Sequence, residues 1–326
     1  MKIICTLGPS SFNKNTLNKL RSLGVNIFRI NLSHTKKGDI LRKIIYLKKN
    51  NIKNICIDTE GAQIRTSKVK KKIYFKKKTL VKLSVSNALS SKNKINLYPN
   101  FDLLSCRVNV KINVGFKGLI LKIIKKDSKS KNLIARVIEP GYLESNKGVH
   151  INQIIKLQPL TEKDEYAIKI ANQNKVKFFA ISFVNRSSDI DKVKKLTNRN
   201  SCIISKIETK SAMNELKQIS NKSNALLIDR GDLSRYIPIE EIPLAQEKII
   251  RVGKSKRVPV YVATNLLETM IKENSPTRAE SHDIFSTLKQ GASGLVLAAE
   301  TAIGANPIEC VKFLKRSIRV YKKSKK

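Results

Sequence analysis

Apolar runs of strand length alternate with segments of helical periodicity along most of this chain, and this alternation narrows the choice of fold more than any other feature. Eight predicted strands cover residues 2–6, 26–31, 54–58, 178–182, 202–206, 225–229, 260–264 and 294–298. Eight predicted helices cover residues 13–23, 35–49, 161–174, 188–197, 211–220, 242–254, 277–290 and 307–322. Eight such units close a TIM (β/α)8 barrel, so the pattern predicts an α/β fold of this kind.

The alternation stops between about residues 67 and 156, where no segment has helical periodicity. Short β-prone runs such as LVKLSV and GLILKII are separated there by Gly, Asn, Ser and Lys. We therefore predict a barrel of residues 1–66 and 157–326, with a small all-β domain of residues 67–156 inserted after the third strand.

The chain is strongly basic, with 65 Lys and Arg against 25 Asp and Glu and a net charge of +40. Such a balance is typical of proteins that bind nucleic acids or other polyanions. The lysines are dispersed and mixed with Asn and Ile, however, which favours a compositional drift of the surface. Nucleic acid is therefore not the expected partner, although the polyanion-binding alternative stays open.

Hydrophobicity and cysteine spacing indicate the compartment. No run of about 18 apolar residues occurs and the chain starts directly with an apolar strand, so we expect a soluble cytoplasmic protein with no membrane partner. The cysteines lie far apart without a Cys-x-x-Cys pair, which predicts buried, reduced thiols. They are Cys5, Cys56, Cys106, Cys202 and Cys310.

Polar residues end nearly every predicted strand, on the side where a barrel has its active site. Lys206 and Glu208 are two positions apart and point the same way, into the barrel mouth. Asp232 follows the next strand in an Arg-Gly-Asp turn, and two carboxylates with free coordination positions suit Mg²⁺ or Mn²⁺. A structural ion pair between Lys206 and Glu208 is the alternative.

Two further groups of residues stand out. Guanidinium and ammonium groups suit phosphate, and the candidates are Arg29, Arg65, Lys147 and Lys206. A second group is rich in oxygen acceptors and suits a monovalent cation or, equally well, strand-end capping: Asn31, Ser33, Asp58 and Thr59. His34 and His150 have no second ligand at metal spacing, so polar contacts are expected for both.

Successive segments of the chain resemble, in the same order, the sequence blocks of pyruvate kinases. These segments are KIICTLGPSS, FRINLSH, IDTEGAQIRT, SNKGV, SFVNRSSDI, SKIET, DRGDLS, IPLAQEKII, VATNLLETMI, PTRAE and LAAETAIGANP. The resemblance implies a barrel with an inserted β-domain, and the glycolytic transfer of phosphoryl from phosphoenolpyruvate to ADP, which gives pyruvate and ATP.

The resemblance also implies a role for each matching residue. Lys206, Arg29 and Thr264 would be catalytic, and Gly231 and Asp232 would join them in binding substrate. Glu208 and Asp232 would hold Mg²⁺ or Mn²⁺. The nucleotide contacts would be Arg29, Asn31, His34, Arg65 and Lys147, and the K⁺ ligands would be Asn31, Ser33, Asp58 and Thr59.

The sequence departs from the family pattern at several positions. Gln63 stands where the family usually has a Glu that accompanies K⁺ dependence, so Gln63 argues against a K⁺ requirement. The segment INVGFKGLI lacks the aspartates expected in the lid, and Asp229 stands where an alanine is usual. The printed sequence stops after the eighth helix, so we expect no C-terminal domain, no response to sugar phosphates, and any homo-oligomer to form through barrel contacts.

Three other functions remain to be weighed against this one. One is a degenerate pyruvate kinase homologue that binds ligand without turnover. Another is a lyase of the malyl-CoA or citrate-lyase type, against which the inserted β-domain and the RINLSH segment argue. The last is a basic polyanion-binding protein on a barrel scaffold.

Overall fold

The computed structural model describes residues 1–115, 118–153 and 155–325. The chain divides into a first unit, Met1–Gly61 with Pro159–Lys326, and a second unit, Ala62–Gln158. The boundaries predicted from the sequence are 66/67 and 156/157. Residues 62–66 and 157–158 instead lie in the second unit and not, as expected, in the first. Phe116, Lys117 and Ile154, which belong to the predicted inserted domain, lie outside the described residues.

Eight parallel strands form a closed barrel in the first unit, with the last strand pairing with the first. Each strand lies within one residue of its predicted bounds. They are β1 (Lys2–Thr6), β2 (Ile27–Asn31), β3 (Ile55–Asp58), β4 (Phe178–Ile181), β5 (Cys202–Ile207), β6 (Ala225–Asp229), β7 (Val260–Ala263) and β8 (Gly294–Leu297). The TIM barrel fold predicted from the alternation is therefore confirmed.

Helices follow the strands, and two of them begin at capping boxes that fix where the helix starts, at Thr161 and Thr277. The helix predicted over 211–220 is divided at Glu215, whose carboxylate accepts a hydrogen bond from the Ser187 backbone. The helices are Lys14–Ser22, Ile40–Lys49, Glu162–Gln173, Ser187–Leu196, Lys210–Asn214, Leu216–Lys222, Arg230–Leu233, Ile242–Ser255, Arg278–Gln290, Ala299–Ala302 and Pro307–Lys323.

Two apolar layers form because successive side chains of a strand point to opposite faces. On β1, Ile4 packs inside the barrel with Cys56, Ala180 and Tyr261. Its neighbour Cys5 points outward, into the layer between strands and helices. This double burial explains why the barrel strands are nearly continuous apolar runs.

The chain leaves and re-enters the first unit close to one buried carboxylate. Asp164 is fully buried and accepts hydrogen bonds from the backbone N–H groups of Glu60 at 2.8 Å and Gly61 at 3.0 Å. It also accepts one from the N–H of Thr161, which is the cap of its own helix, at 2.9 Å. Asp164 therefore ties together the two segments between which the second unit is inserted.

The second unit is built from strands, and its described residues contain no helix except the 3-10 turn Leu103–Ser105. A seven-stranded sheet and a two-stranded sheet surround a core that includes Leu83, Ile95, Leu121 and Leu133. The strands are Arg65–Thr66, Ile73–Phe75, Leu80–Val85, Lys94–Tyr98, Lys111–Val114, Ile120–Asp127, Asn132–Glu139, Gly141–Leu143 and Val149–Ile151.

Among the described residues, no helix combines the length and the hydrophobicity needed to span a membrane.

The cysteine thiols provide the first prediction, because all of them are free and all but the partly exposed Cys202 are buried. Burial raises the pKa of Cys106 to about 11 and that of Cys310 to about 12. Since the thiolate is the reactive form, we expect thiols of the folded protein to react with a disulfide reagent about 100-fold more slowly than in urea. Fast labelling of more than one thiol in the folded protein would contradict this.

Candidate active site

The carboxyl ends of the barrel strands bring basic and acidic side chains from distant parts of the sequence into one group. Arg29 lies on β2, Asp58 ends β3, Lys206 lies on β5 and Asp229 ends β6. Arg29 Nη1 is 3.2 Å from Asp58 Oδ2, and both side chains are almost completely buried. Arg29, Asp58 and Lys206 are 3%, 1% and 4% exposed, respectively, so solvent screens the interactions between their charges only weakly.

Lys206 is the centre of this group. Its ammonium lies 2.8 Å from Glu208 Oε1 and 3.3 Å from Asp58 Oδ1. A third carboxylate, that of Asp229, lies at 3.6 Å. Burial alone would lower the pKa of Lys206, but these three carboxylates outweigh it and raise that pKa above its ordinary value, so the ammonium stays charged.

Glu208 is held by the strand end next to it. Phe183 has a φ of +53° and donates its backbone N–H to Glu208 Oε2 at 2.7 Å. Burial raises the pKa of Glu208, against the attraction of Lys206, and the carboxylates of Asp232 and Asp229 raise it further. The side chain is therefore a buried carboxylate with more negative than positive charge around it.

Three carboxylates at this place could hold a divalent cation. One oxygen each from Glu208, Asp229 and Asp232 lies within 4.8 Å of the others. The Oε1 atom of Glu208 is buried, and the Lys206 ammonium lies 2.8 Å from it. A set of carboxylate oxygens alone fits Mg²⁺ or Mn²⁺, the ions expected from the sequence at Glu208 and Asp232.

Thr264 directly follows β7 and contacts the charged group through Asp229. Its hydroxyl donates a hydrogen bond of 2.6 Å to Asp229 Oδ1. Its carbonyl accepts hydrogen bonds from Arg230, which in turn pairs with Asp283 at 2.8 Å. Gly231 packs so closely that an added Cβ would lie 2.9 Å from Thr264 Cγ2.

The residues considered for K⁺ have other partners. Asn31 Oδ1 accepts the Ser33 N–H at 2.9 Å, and Thr59 Oγ1 accepts the Ser182 N–H at 2.9 Å. Asp58 is paired with Arg29 and Lys206. These are the contacts of strand-end capping, and no buried oxygen of the four residues is without a hydrogen bond in the described chain. This arrangement does not favour binding of K⁺ by these four residues, and K⁺ has no role in the proposed reaction.

The residues considered for nucleotide binding fall into different units. Asn31 and His34 lie in the first unit, and His34 is exposed in the 3-10 turn Leu32–His34. Arg65 and Lys147 lie on adjacent segments of the second unit, where Arg65 Nη1 donates to the Asn146 carbonyl at 3.3 Å. The Lys147 ammonium is half-exposed and 2.8 Å from Glu144. Arg29 lies in the charged group at the barrel mouth.

Sequence reasoning missed three participants in this group. The Ser182 hydroxyl accepts a hydrogen bond from Lys206 at 3.0 Å and donates one to Asp58 at 3.3 Å. Asp229 and Arg230 both contact Thr264. Ser182 and Asp229 could have been noticed because they lie at the ends of predicted strands. The sequence does not specify which side chain either of them contacts.

Comparison with known proteins agrees with this geometry. The sequence model of the family described as "Pyruvate kinase, barrel domain" matches residues 1–311. The chain is 34% identical to the pyruvate kinase of Thermotoga maritima, over 97% of this chain and 69% of that protein. It is 31% identical to the pyruvate kinase of Geobacillus stearothermophilus, over 95% of this chain and 55% of that protein.

A plant relative shows the same extent of similarity. The chain is 33% identical to the chloroplastic pyruvate kinase isozyme G of Nicotiana tabacum, over 96% of this chain and 57% of that protein. The chain thus spans between about half and about two thirds of the length of these relatives. The match of the family model to almost the whole sequence, and the identity over nearly all of it, show that this chain belongs to the pyruvate kinase family.

Proposed function

We propose that this chain transfers the phosphoryl group of phosphoenolpyruvate to ADP and protonates the resulting enolate to give pyruvate and ATP. The observation that carries this proposal is the buried Lys206 ammonium, which lies 2.8 Å from Glu208 in the charged group at the barrel mouth. Arg29 joins this group through Asp58, and Asp232 lies near Glu208. This group combines cations for a phosphoryl group with carboxylates for a metal ion. Phosphoryl transfer needs both, since its catalysis is mostly positioning and charge stabilisation.

Lys206 and Arg29 would bind the oxygens of the phosphoryl group. Negative charge spreads over these oxygens in the transition state, and an ammonium fixed in a dry site stabilises that charge without reorganising. Arg29 is itself oriented, because its Nε donates to Thr6 Oγ1 at 2.8 Å and its Nη1 faces Asp58. A guanidinium held in this way has little conformational entropy left to lose on binding phosphate.

Glu208 and Asp232 would hold the divalent cation, which neutralises charge on the phosphoryl and enolate oxygens when it is bound. Gly231 would leave the backbone of its turn accessible to the substrate carboxylate, because it has no side chain. Thr264 would lie beside the carbon that is protonated. The nucleotide contacts we propose within the first unit are Arg29, Asn31 and His34.

The direct test is ATP formation by the purified protein from phosphoenolpyruvate and ADP, with Mg²⁺ and with a chelator. We expect ATP to form and the chelator to abolish its formation. A protein that binds Mn²⁺ and phosphoenolpyruvate but forms no ATP would be a degenerate family member, and the proposal would then be wrong.

Lys206→Met removes the charge and keeps the aliphatic bulk. We expect a loss of about 10²–10³ in kcat, with a much smaller change in KM for phosphoenolpyruvate, because the charge acts mainly in the transition state. If Lys206 were only the structural partner of Glu208, the variant would instead lose about 3–5 kcal/mol of stability and keep its turnover. Measuring kcat and the urea midpoint on one preparation separates the two roles, and a variant that unfolds early yet turns over within tenfold of the parent would refute catalysis by Lys206.

Glu208→Gln and Asp232→Asn test the metal site without depending on turnover. Each substitution replaces a charged ligand by a neutral one of the same shape, so we expect the Kd for Mn²⁺ to rise at least about tenfold. The measurement is a titration of free Mn²⁺ by electron paramagnetic resonance. Glu309→Gln, which alters an exposed ion pair with Lys312, is the matched control. Parental Mn²⁺ affinity in both site variants would contradict the assignment.

A groove in the second unit favours polyanion binding as a second candidate function. Its volume is about 830 Å³, and none of the described residues that line it is acidic. Its lysines are Lys70, Lys71, Lys72, Lys76 and Lys92. The groove therefore concentrates five positive charges in one place, although most lysines of the chain are dispersed. Clustered cations of this kind bind chains of phosphate or sulfate groups.

Retention on heparin as a function of salt tests this second function. Replacing the five groove lysines by Gln should reduce the salt slope by several units, since each lost ionic contact removes roughly one. The matched control replaces five exposed lysines on barrel helices, and thus changes the net charge equally: Lys14, Lys19, Lys194, Lys195 and Lys289. Equal effects of the two sets would show that the groove has no special role.

A further inference from the structure

Thr264 is clamped at its backbone and at its side chain by two consecutive residues. Its φ is +76°, a conformation that is strained for a β-branched residue and persists only where the surroundings enforce it. Arg230 donates Nε and Nη2 to the Thr264 carbonyl, at 3.1 and 2.6 Å. Asp229 accepts the hydroxyl at 2.6 Å. The strain and the clamp together indicate that the position of this hydroxyl matters.

The direction of the hydrogen bond to Asp229 fixes what the hydroxyl can do. A hydroxyl has one proton and two lone pairs, and a carboxylate can only accept. The proton of Thr264 therefore points to Asp229, and the rest of the hydroxyl is an acceptor. While this bond lasts, Thr264 cannot donate its own proton to a substrate.

Asp229 is itself fixed in place. Its second carboxylate oxygen lies 3.6 Å from the Lys206 ammonium, and the residue ends β6 inside the charged group. An alanine at this position would have no group that could accept the hydroxyl proton, so the contact depends on this carboxylate.

We propose that Asp229 is a positioning residue that makes Thr264 an acceptor toward the substrate, so that Thr264 holds the water molecule which protonates the enolate. This inference rests on the proposed function. In the step, the electron pair of the enolate double bond forms a C–H bond with a proton of that water. The O–H bond of the water breaks, and the hydroxide that remains takes up a proton from solvent.

Exchange of the methyl protons of pyruvate in D₂O, followed by NMR with Mg²⁺ and ATP present, measures this proton transfer. Formation of ATP in a single turnover, followed by rapid quench, measures phosphoryl transfer separately. The variants are Asp229→Ala, Asp229→Asn, Thr264→Val and the double variant Asp229→Ala with Thr264→Val. Glu309→Gln, in the exposed ion pair with Lys312, is the control and should behave like the parent.

We expect Asp229→Ala to slow proton exchange about 10²-fold, the lower end of what a positioned proton transfer contributes, and to slow single-turnover ATP formation by a clearly smaller factor. Asp229→Asn keeps an acceptor oxygen in the same place, so its proton exchange should be at least about tenfold faster than that of Asp229→Ala. Thr264→Val should slow proton exchange as much as Asp229→Ala does. The double variant should exchange no more slowly than either single variant, because the two residues act as one unit.

Several results would overturn the inference. Additive losses in the double variant would show that Asp229 and Thr264 act independently. A Kd for Mn²⁺ raised more than tenfold in Asp229→Ala would make Asp229 a metal ligand instead. Should Asp229→Ala fail to fold, the cycle of Asp229→Asn with Thr264→Val decides by the same criterion of additivity.

The proposed function can fail separately. A parent protein that exchanges the methyl protons but forms no ATP contradicts the proposed function alone, and the exchange cycle still decides the role of Asp229. A parent that does neither contradicts both.

Discussion

A buried ammonium controls the arrangement of this barrel mouth. Lys206 is almost inaccessible to water, and burying a lone ammonium costs several kcal/mol unless carboxylates surround it. The carboxylates come from Asp58 at the end of β3, Glu208 directly after β5 and Asp229 at the end of β6. The curvature of the closed barrel turns the ends of these strands toward one point. The barrel thus provides the charges that Lys206 needs, and Lys206 in turn offsets the repulsion between carboxylates that lie close together.

The barrel strands could be predicted within one residue, because both of their faces are buried and the sequence shows each as an apolar run. The boundary of the second unit was misplaced for a different reason. Arg65 and Thr66 pair with Tyr98 and Leu97, some thirty residues later. A strand of two residues has too little length to show a periodicity, and its pairing is not local. At the break in the predicted helix, Glu215 likewise has a partner that is not local, the backbone N–H of Ser187 on another helix.

The site could be predicted where the residue spacing within one segment determines which way its side chains point. Lys206 and Glu208 share a strand face, so their common orientation followed from a spacing of two. Ser182 and Asp229 gain their roles only from partners on other strands, which no spacing specifies. The positive φ angles of Phe183 and Thr264 were also beyond prediction, since neither residue type favours them. Backbone strain of this kind is imposed by the assembled structure, and it occurs here where the charged group is built.

Asp164 has a consequence for how such a protein can change over time. By holding Glu60, Gly61 and the start of its own helix together, this one carboxylate fixes both ends of residues 62–158 from inside the barrel unit. The entropy cost of closing that long loop is therefore met by the barrel, and it would grow only slowly with the length of whatever is inserted. Lengthening or shortening the inserted segment would therefore change the entropy cost of closure little, as long as Asp164 keeps these three hydrogen bonds.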